Sequence, residues 1–203
     1  MKTTIILGIT GGIGSGKSYV TRIFNGLGIP AYDSDARTKQ LYREEPPLRE
    51  VLSGILGPDI FMNGEPDISK MASLIFNDTA LLKRINQAVH PYVVRDFLKW
   101  AYASQAPYVI FESAILLEMD PPFQATRILT VSADSELRIN RVAGRDNALI
   151  QSVLARMDKQ WTDEQREARA DFVIVSDNNQ ALLPRVLEVH QHMMNITLNH
   201  NEN

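Results

Sequence analysis

The chain contains no cysteine, which excludes a disulfide framework, a thiolate nucleophile and a cysteine-ligated metal. No apolar run approaches the roughly 18 residues that a membrane span needs. No basic-then-apolar leader precedes the first apolar run, so a cytoplasmic protein with no membrane partner is expected. Neither sign of charge dominates: 21 Lys and Arg stand against 24 Asp and Glu, a net charge of −3 and a pI near 5.8. That balance gives no global attraction to nucleic acid, and none is expected as a partner. Aromatics are few, and Trp100 and Trp161 read as packing residues before base-stacking platforms. Internal repeats and low-complexity linkers are also missing. With 203 residues, 44% of them hydrophobic, the chain can bury a proper core as one domain over 1–203 carrying an insertion.

Against these absences stands the segment Gly11-Gly12-Ile13-Gly14-Ser15-Gly16-Lys17-Ser18. It fits the phosphate-loop pattern of two glycines flanking four residues, then Lys and Ser. Glycines let the backbone wrap a phosphate with its N–H groups turned inward. Lys17 supplies a point charge for the outer phosphates, and the Ser18 hydroxyl suits Mg²⁺. The context is right on both sides. Thr3 to Ile9 is an apolar, β-branched run that reads as a buried strand, and Tyr19 to Phe24 has helical spacing, stopped by Gly26 and Gly28. Strand, loop and helix N-terminus together make an anion site. This is the signature of a nucleoside-triphosphate site.

Four further β-like runs, 29–33, 108–112, 127–131 and 171–175, alternate with helical patterns, which predicts an α/β fold with a five-stranded parallel sheet. About 75 residues separate the second and third runs, far more than one crossover helix needs. That interval breaks at Pro46-Pro47, Gly57-Pro58, Gly64-Glu65-Pro66 and His90-Pro91, and reads as a helical insertion over 34–107 suited to a second substrate. A second helical excursion, 134–170, is Arg-rich. The final helix follows the capping run Ser176-Asp177-Asn178-Asn179, and the Asn-rich end from Asn195 is expected to fray.

Asp33-Ser34-Asp35 follows the second strand, where strand ends of an open α/β sheet face the ligand crevice. One of these residues can cap a helix over 36–43 while another acid faces the phosphates. Arg138, Arg141 and Arg145 stand at i, i+3 and i+7 on one helix face, and six of the 14 arginines lie between 138 and 169. Beside a phosphate loop they suggest an arm that closes over a triphosphate. Glu112 ends the third strand, where a carboxylate can hold Mg²⁺ or its water shell. His190 and His192 fall on different helix faces, so they are not expected to pair on a metal, and His90 reads as a joint at a helix boundary.

Taken in order from about Ile5 to Val189, the chain resembles the dephospho-CoA kinases, which catalyse the last step of coenzyme A synthesis. The resemblance rests on the double-glycine loop from Thr10 to Ser18, Asp33-Ser34-Asp35 after Leu27-Gly28, and His90-Pro91 with Arg95. It continues through Leu116-Leu117-Glu118, Arg141 with Arg145-Asp146, Arg156-Met157 with Gln160, and 170–174. Where that family usually carries Pro-Leu-Leu, this chain has Ala114-Ile115-Leu116. The resemblance implies a three-layer P-loop kinase fold with a helical coenzyme-binding insertion and a small helical lid. It also implies ATP and Mg²⁺ as cofactors, dephospho-CoA as acceptor, and a monomer or small homo-oligomer.

The site residues it implies are Gly12, Ile13, Gly14, Ser15, Gly16, Lys17, Ser18 and Tyr19 around the nucleotide. Asp35 is favoured as general base with Asp33 in support, and Arg141 and Arg145 clamp the transferring phosphoryl group, which leaves Arg138 a solvated neighbour. His90, Arg95 and Gln160 are expected on the coenzyme. Two other readings stay open from the residues alone: a kinase for another small molecule, and a nucleotide-driven switch whose output is a change of shape.

Overall fold

The structure is a computed structural model and describes residues 4–75, 78–177 and 179–201. Thr3, expected to open the first strand, and Asn178, in the expected capping run, lie outside the described residues. The first half runs β1 (Ile6–Thr10), α1 (Lys17–Gly26), β2 (Ala31–Asp33), α2 (Ser34–Glu44), α3 (Pro46–Leu56), β3 (Phe61–Met62), β4 (Glu65–Pro66) and α4 (Ile68–Ile75). The second runs α5 (Thr79–Ala103), β5 (Val109–Glu112), β6 (Arg127–Ser132), α6 (Ser135–Asp146), α7 (Ile150–Met157), α8 (Asp163–Glu167), β7 (Phe172–Val175) and α9 (Leu182–Asn201). Two compact units result, one of residues 1–33 with 103–203 and one of Ser34–Tyr102.

The first unit is built on the five-stranded parallel sheet that the sequence predicts, in the order β2-β5-β1-β6-β7. β1 is buried along its whole length, as a central strand covered on both faces must be. Leu7 and Ile9 point to one face and pack with Val20 and Phe24 of α1 and with Val186, Val189 and Met193 of α9. On the other face Gly8 admits the side chain of Leu116, which would stand 3.1 Å from a Cβ at this position. There the Phe111 ring stacks on Tyr32 at 5.8 Å and on Phe123 at 4.2 Å. α9 continues to Asn201, into the Asn-rich stretch expected to fray, whose last two residues lie outside the described ones. Ile196 packs on the core, and the Thr197 hydroxyl donates to the carbonyls of Met193 (3.0 Å) and Pro107 (3.3 Å).

The second unit holds α2 to α4, most of α5 and a hairpin. The hairpin was not foreseen: β3 and β4 pair antiparallel around Asn63-Gly64, both in the left-handed region at φ 52° and 82°. Those are the signs that a two-residue type I′ turn requires. α2 begins at Ser34, two residues before the expected start, directly on the end of β2. The expected boundary at His90-Pro91 is corrected as well, because α5 runs unbroken from Thr79 to Ala103 with Pro91 inside it. An interior proline costs about 3 kcal/mol. Ile85, Val89, Val93, Phe97 and Ala101 form a buried row of stride four that crosses it. At about 1.5–3 kcal/mol for each large apolar side chain, that row outweighs the proline.

Phe24 is fully buried between α1 and the sheet. Phe24→Ala should lower unfolding free energy by about 3–5 kcal/mol. Chemical denaturation checks this, and a loss below about 1 kcal/mol would show that the α1 face carries little of the packing.

Candidate active site

A loop that binds an anion through its amides must send its carbonyls elsewhere, and those carbonyls need donors of their own. Gly16 makes the turn into α1 at φ 100°, a left-handed conformation that favours glycine, and provides no capping side chain. α1 therefore begins without a side-chain cap, at the end of a helix that favours anions. Within the loop the Ser15 N–H donates to the Gly12 carbonyl at 3.1 Å. The Ile13 carbonyl accepts from Arg138 Nε at 3.0 Å, and the Gly14 carbonyl from Arg141 Nη1 at 3.4 Å. The Ile13 N–H donates to Gln160 Oε1 at 2.8 Å. At Gly12 a Cβ would collide with the Arg138 guanidinium, so glycine here is a matter of space.

Arg138 is therefore not the solvated neighbour that the resemblance implies. Its side chain is 6% exposed, and Nη1 meets Asp163 at 2.8 Å. Asp163 also holds Arg166 at 3.1 Å, and Arg166 reaches Glu118 at 3.4 Å, making a chain of two cations and two anions. Burial pushes the Glu118 carboxyl up from its ordinary value, opposed by the Trp161 N–H and by Arg166. Burial likewise pulls Arg166 down, while Glu118 and Asp163 hold it charged. Removing one member would strand a buried charge, at about 3–5 kcal/mol.

The other expected residues fall at several places. In the register, Asp33 at the end of β2 is the partner of Glu112 at the end of β5, which is in turn the partner of Ile9. Both acids therefore lie in the row that carries Ile9, on the α1 side of the sheet. The Ser18 hydroxyl donates to Glu112 Oε1 at 2.9 Å. Ser18 and Glu112 together offer only hard oxygen donors, the set that suits Mg²⁺. Arg141 also reaches the Ser176 hydroxyl at 3.4 Å and lines a cleft of about 450 Å³ with Gly16, Tyr19, Ser176, Gln180 and Leu182. Arg145 pairs with Asp146 through two bonds of 2.6 and 3.1 Å, and Arg156 joins the same carboxylate. These two arginines hold Asp146 down to about 2. Asp35 sits in the first turn of α2, and His90 and Arg95 lie along α5; all three belong to the second unit. There Arg95 pairs with Glu45 at 3.0 Å and lies over the Tyr92 ring.

A phosphate loop between β1 and α1, with two acids ending neighbouring strands, is the frame of a nucleotide kinase. The comparisons agree. The profile described as dephospho-CoA kinase matches residues 5–182. The dephospho-CoA kinase of Bacteroides fragilis (strain YCH46) is 35% identical over 186 residues, 91% of each chain. The chain belongs to the dephospho-CoA kinase family. A crystal structure of a Thermus thermophilus protein superposes with a TM-score of 0.80 at 34% identity, covering 94% of this chain and 98% of that one. The fold alone is shared with the shikimate kinase of Acinetobacter baumannii in complex with shikimate, at a TM-score of 0.55 and 15% identity over 95% and 94% of the two chains. The family's three-layer P-loop kinase fold is thus present, and no described helix is long and apolar enough to cross a membrane.

Two parts of the site escaped the sequence reading. Arg138 with Asp163 and Arg166 gave only a helical spacing and scattered charges. The cleft at Ser176 to Leu182 followed a strand end as Asp33 does, and that position was the available signal. Gly12→Ala should weaken nucleotide binding at least about tenfold while the far-ultraviolet circular dichroism is kept, since the new methyl must displace the guanidinium under the loop. Titration with a non-hydrolysable ATP analogue checks this, and wild-type affinity would show that the loop adapts freely.

Proposed function

We propose that this chain transfers the γ-phosphoryl group of MgATP to the 3′-hydroxyl of dephospho-CoA, giving coenzyme A and ADP. The observation that carries this reading is the loop whose carbonyls are drawn off by Arg138 and Arg141. That arrangement leaves the loop's electropositive side for a triphosphate, with Lys17 beginning the helix behind it. Lys17 and the loop amides absorb charge on the β- and γ-phosphates. Ser18 and Glu112, which meet at 2.9 Å, would hold the magnesium ion. What the ion supplies there is charge neutralisation on the phosphate oxygens. The nucleotide's base enters the cleft lined by Tyr19, Ser176 and Gln180.

Asp35 accepts the proton of the 3′-hydroxyl as its oxygen bonds to phosphorus and the bond to the ADP oxygen breaks. Asp33 supports it. Arg141 and Arg145 grip the transferring group, for which Arg145 must exchange Asp146 for phosphate. Arg95, which lies over the Tyr92 ring and pairs with Glu45, is assigned to the coenzyme, for which it must exchange Glu45 for an anion of the ligand. His90, on the same helix, is assigned to the coenzyme with it, and the 134–170 region is assigned as the lid.

Purified protein with MgATP should form coenzyme A and ADP in equal amounts, and only when dephospho-CoA is added. ADP release at the same rate without acceptor would favour a nucleotide switch. Lys17→Ala should cost about 10²–10³ in turnover, the scale of one lost charge-stabilising donor.

Asp35→Asn should lower turnover by about 10²–10⁴ with both substrates still bound, toward the low end because the loose transition state needs little early proton transfer. Asp33→Asn should be milder. A larger loss at Asp33 than at Asp35, measured under saturation, would exchange the two roles.

A further inference from the structure

Ile13 stands at the tip of the phosphate loop with both of its backbone polar groups taken by side chains. Its N–H goes to Gln160 and its carbonyl to Arg138, over sequence separations of 147 and 125 residues. Neither holder is a loose surface group. Arg138 is fixed by Asp163 at 2.8 Å. Gln160 follows α7 in a turn closed by its own N–H on the Met157 carbonyl at 3.0 Å. One residue on, the Trp161 N–H donates to Glu118 Oε1 at 3.1 Å. Thr162 then starts α8 with a reciprocal capping box to Gln165. The stretch 160–163 is thus tied down at every residue, and two of its side chains end at Ile13, directly or through Arg138.

We infer that Gln160 and the Arg138–Asp163 pair are positioning residues for ATP: together they clamp the Ile13 peptide groups and so set the direction of the phosphate-binding amides that follow. This rests on the reading of the loop as a triphosphate site. The amides that follow lie within one to five bonded residues of Ile13. A rotation of the peptide planes at the tip propagates straight into them, because only two dihedrals per residue separate one plane from the next. Gln160 is spent on the loop in this arrangement, and its amide oxygen acts on the nucleotide's side of the reaction. The 134–170 region then has two parts. Residues 138, 160, 163 and 166 are the fixed floor beneath the loop, and a moving arm is confined to what lies between them.

Gln160→Met keeps the length of the side chain and removes the acceptor, whereas Gln160→Glu keeps an acceptor oxygen at the same reach. Amide hydrogen exchange at Ile13 in the nucleotide-free protein should quicken about tenfold or more in the methionine variant and return toward wild type in the glutamate variant. Affinity for a non-hydrolysable ATP analogue, titrated without acceptor, should fall about three- to tenfold in Gln160→Met, the worth of one hydrogen bond. The KM for dephospho-CoA at saturating ATP should stay within about twofold. A raised dephospho-CoA KM with unchanged Ile13 exchange and unchanged nucleotide affinity would overturn the clamp and return Gln160 to the coenzyme. No change in any of the three would also overturn it. Asp163→Asn, which keeps the size of its side chain, should weaken the analogue in the same direction through Arg138, and wild-type affinity there would remove Asp163 from the clamp. If the wild-type protein bound no analogue, the triphosphate reading would fail, while exchange at Ile13 would still report the clamp.

Discussion

An anion cradle made of backbone sets a problem that its own amides cannot solve. Every N–H turned toward the phosphate leaves a carbonyl turned away, and a carbonyl without a donor in a buried loop costs as much as the amide gains. Here the donors are two arginines one helical turn apart on α6, which take the carbonyls of consecutive loop residues. Much else follows from that. Gly12 must lack a side chain because a guanidinium lies where its Cβ would be. Arg138 must be buried to reach Ile13, so it needs Asp163, and Asp163 is shared with Arg166, which needs Glu118 in turn. The alternation of charge along that chain makes two buried arginines tolerable, each paired with a half-buried acid.

The acids are arranged by a different rule. Parallel register places the last residues of β2 and β5 side by side, and α1 begins on the same side of the sheet. The Ser18 hydroxyl can therefore meet Glu112 without any special loop. Sheet geometry aligns the oxygen donors, and arginine chemistry shapes the cradle.

The loop and its five strands were legible because each is written locally. Thr4 to Ile9 is apolar and β-branched, and the glycine spacing of the loop lies within eight residues. α5 was misread at Pro91 because a proline is a strong local signal, whereas the stride-four row that overrides it extends over 17 residues from Ile85 to Ala101. The hairpin at Asn63-Gly64 carried its turn signal in plain view. Its strands, two residues each, were too short for any alternation to register. Arg138 illustrates the deeper limit. Its spacing from Arg141 and Arg145 fixes a shared helical face, yet which of the three becomes buried depends on a loop and an acid distant in the chain. Gln160 was noticed through resemblance alone, and its bond to the Ile13 N–H has no local signature at all.

The order of the strands has a consequence for how the molecule is made. β1 lies at the centre of the sheet, yet both of its neighbours, β5 and β6, come from the second half of the chain. The phosphate loop is synthesised well before its supports at 138, 141 and 160, which emerge more than a hundred residues later. Contacts so far apart in sequence carry a large closure entropy, which places such a fold among the slower ones. The capacity to hold a nucleotide is therefore acquired only once residues 138–160 have joined the loop, and a bound triphosphate serves as a report that they have arrived.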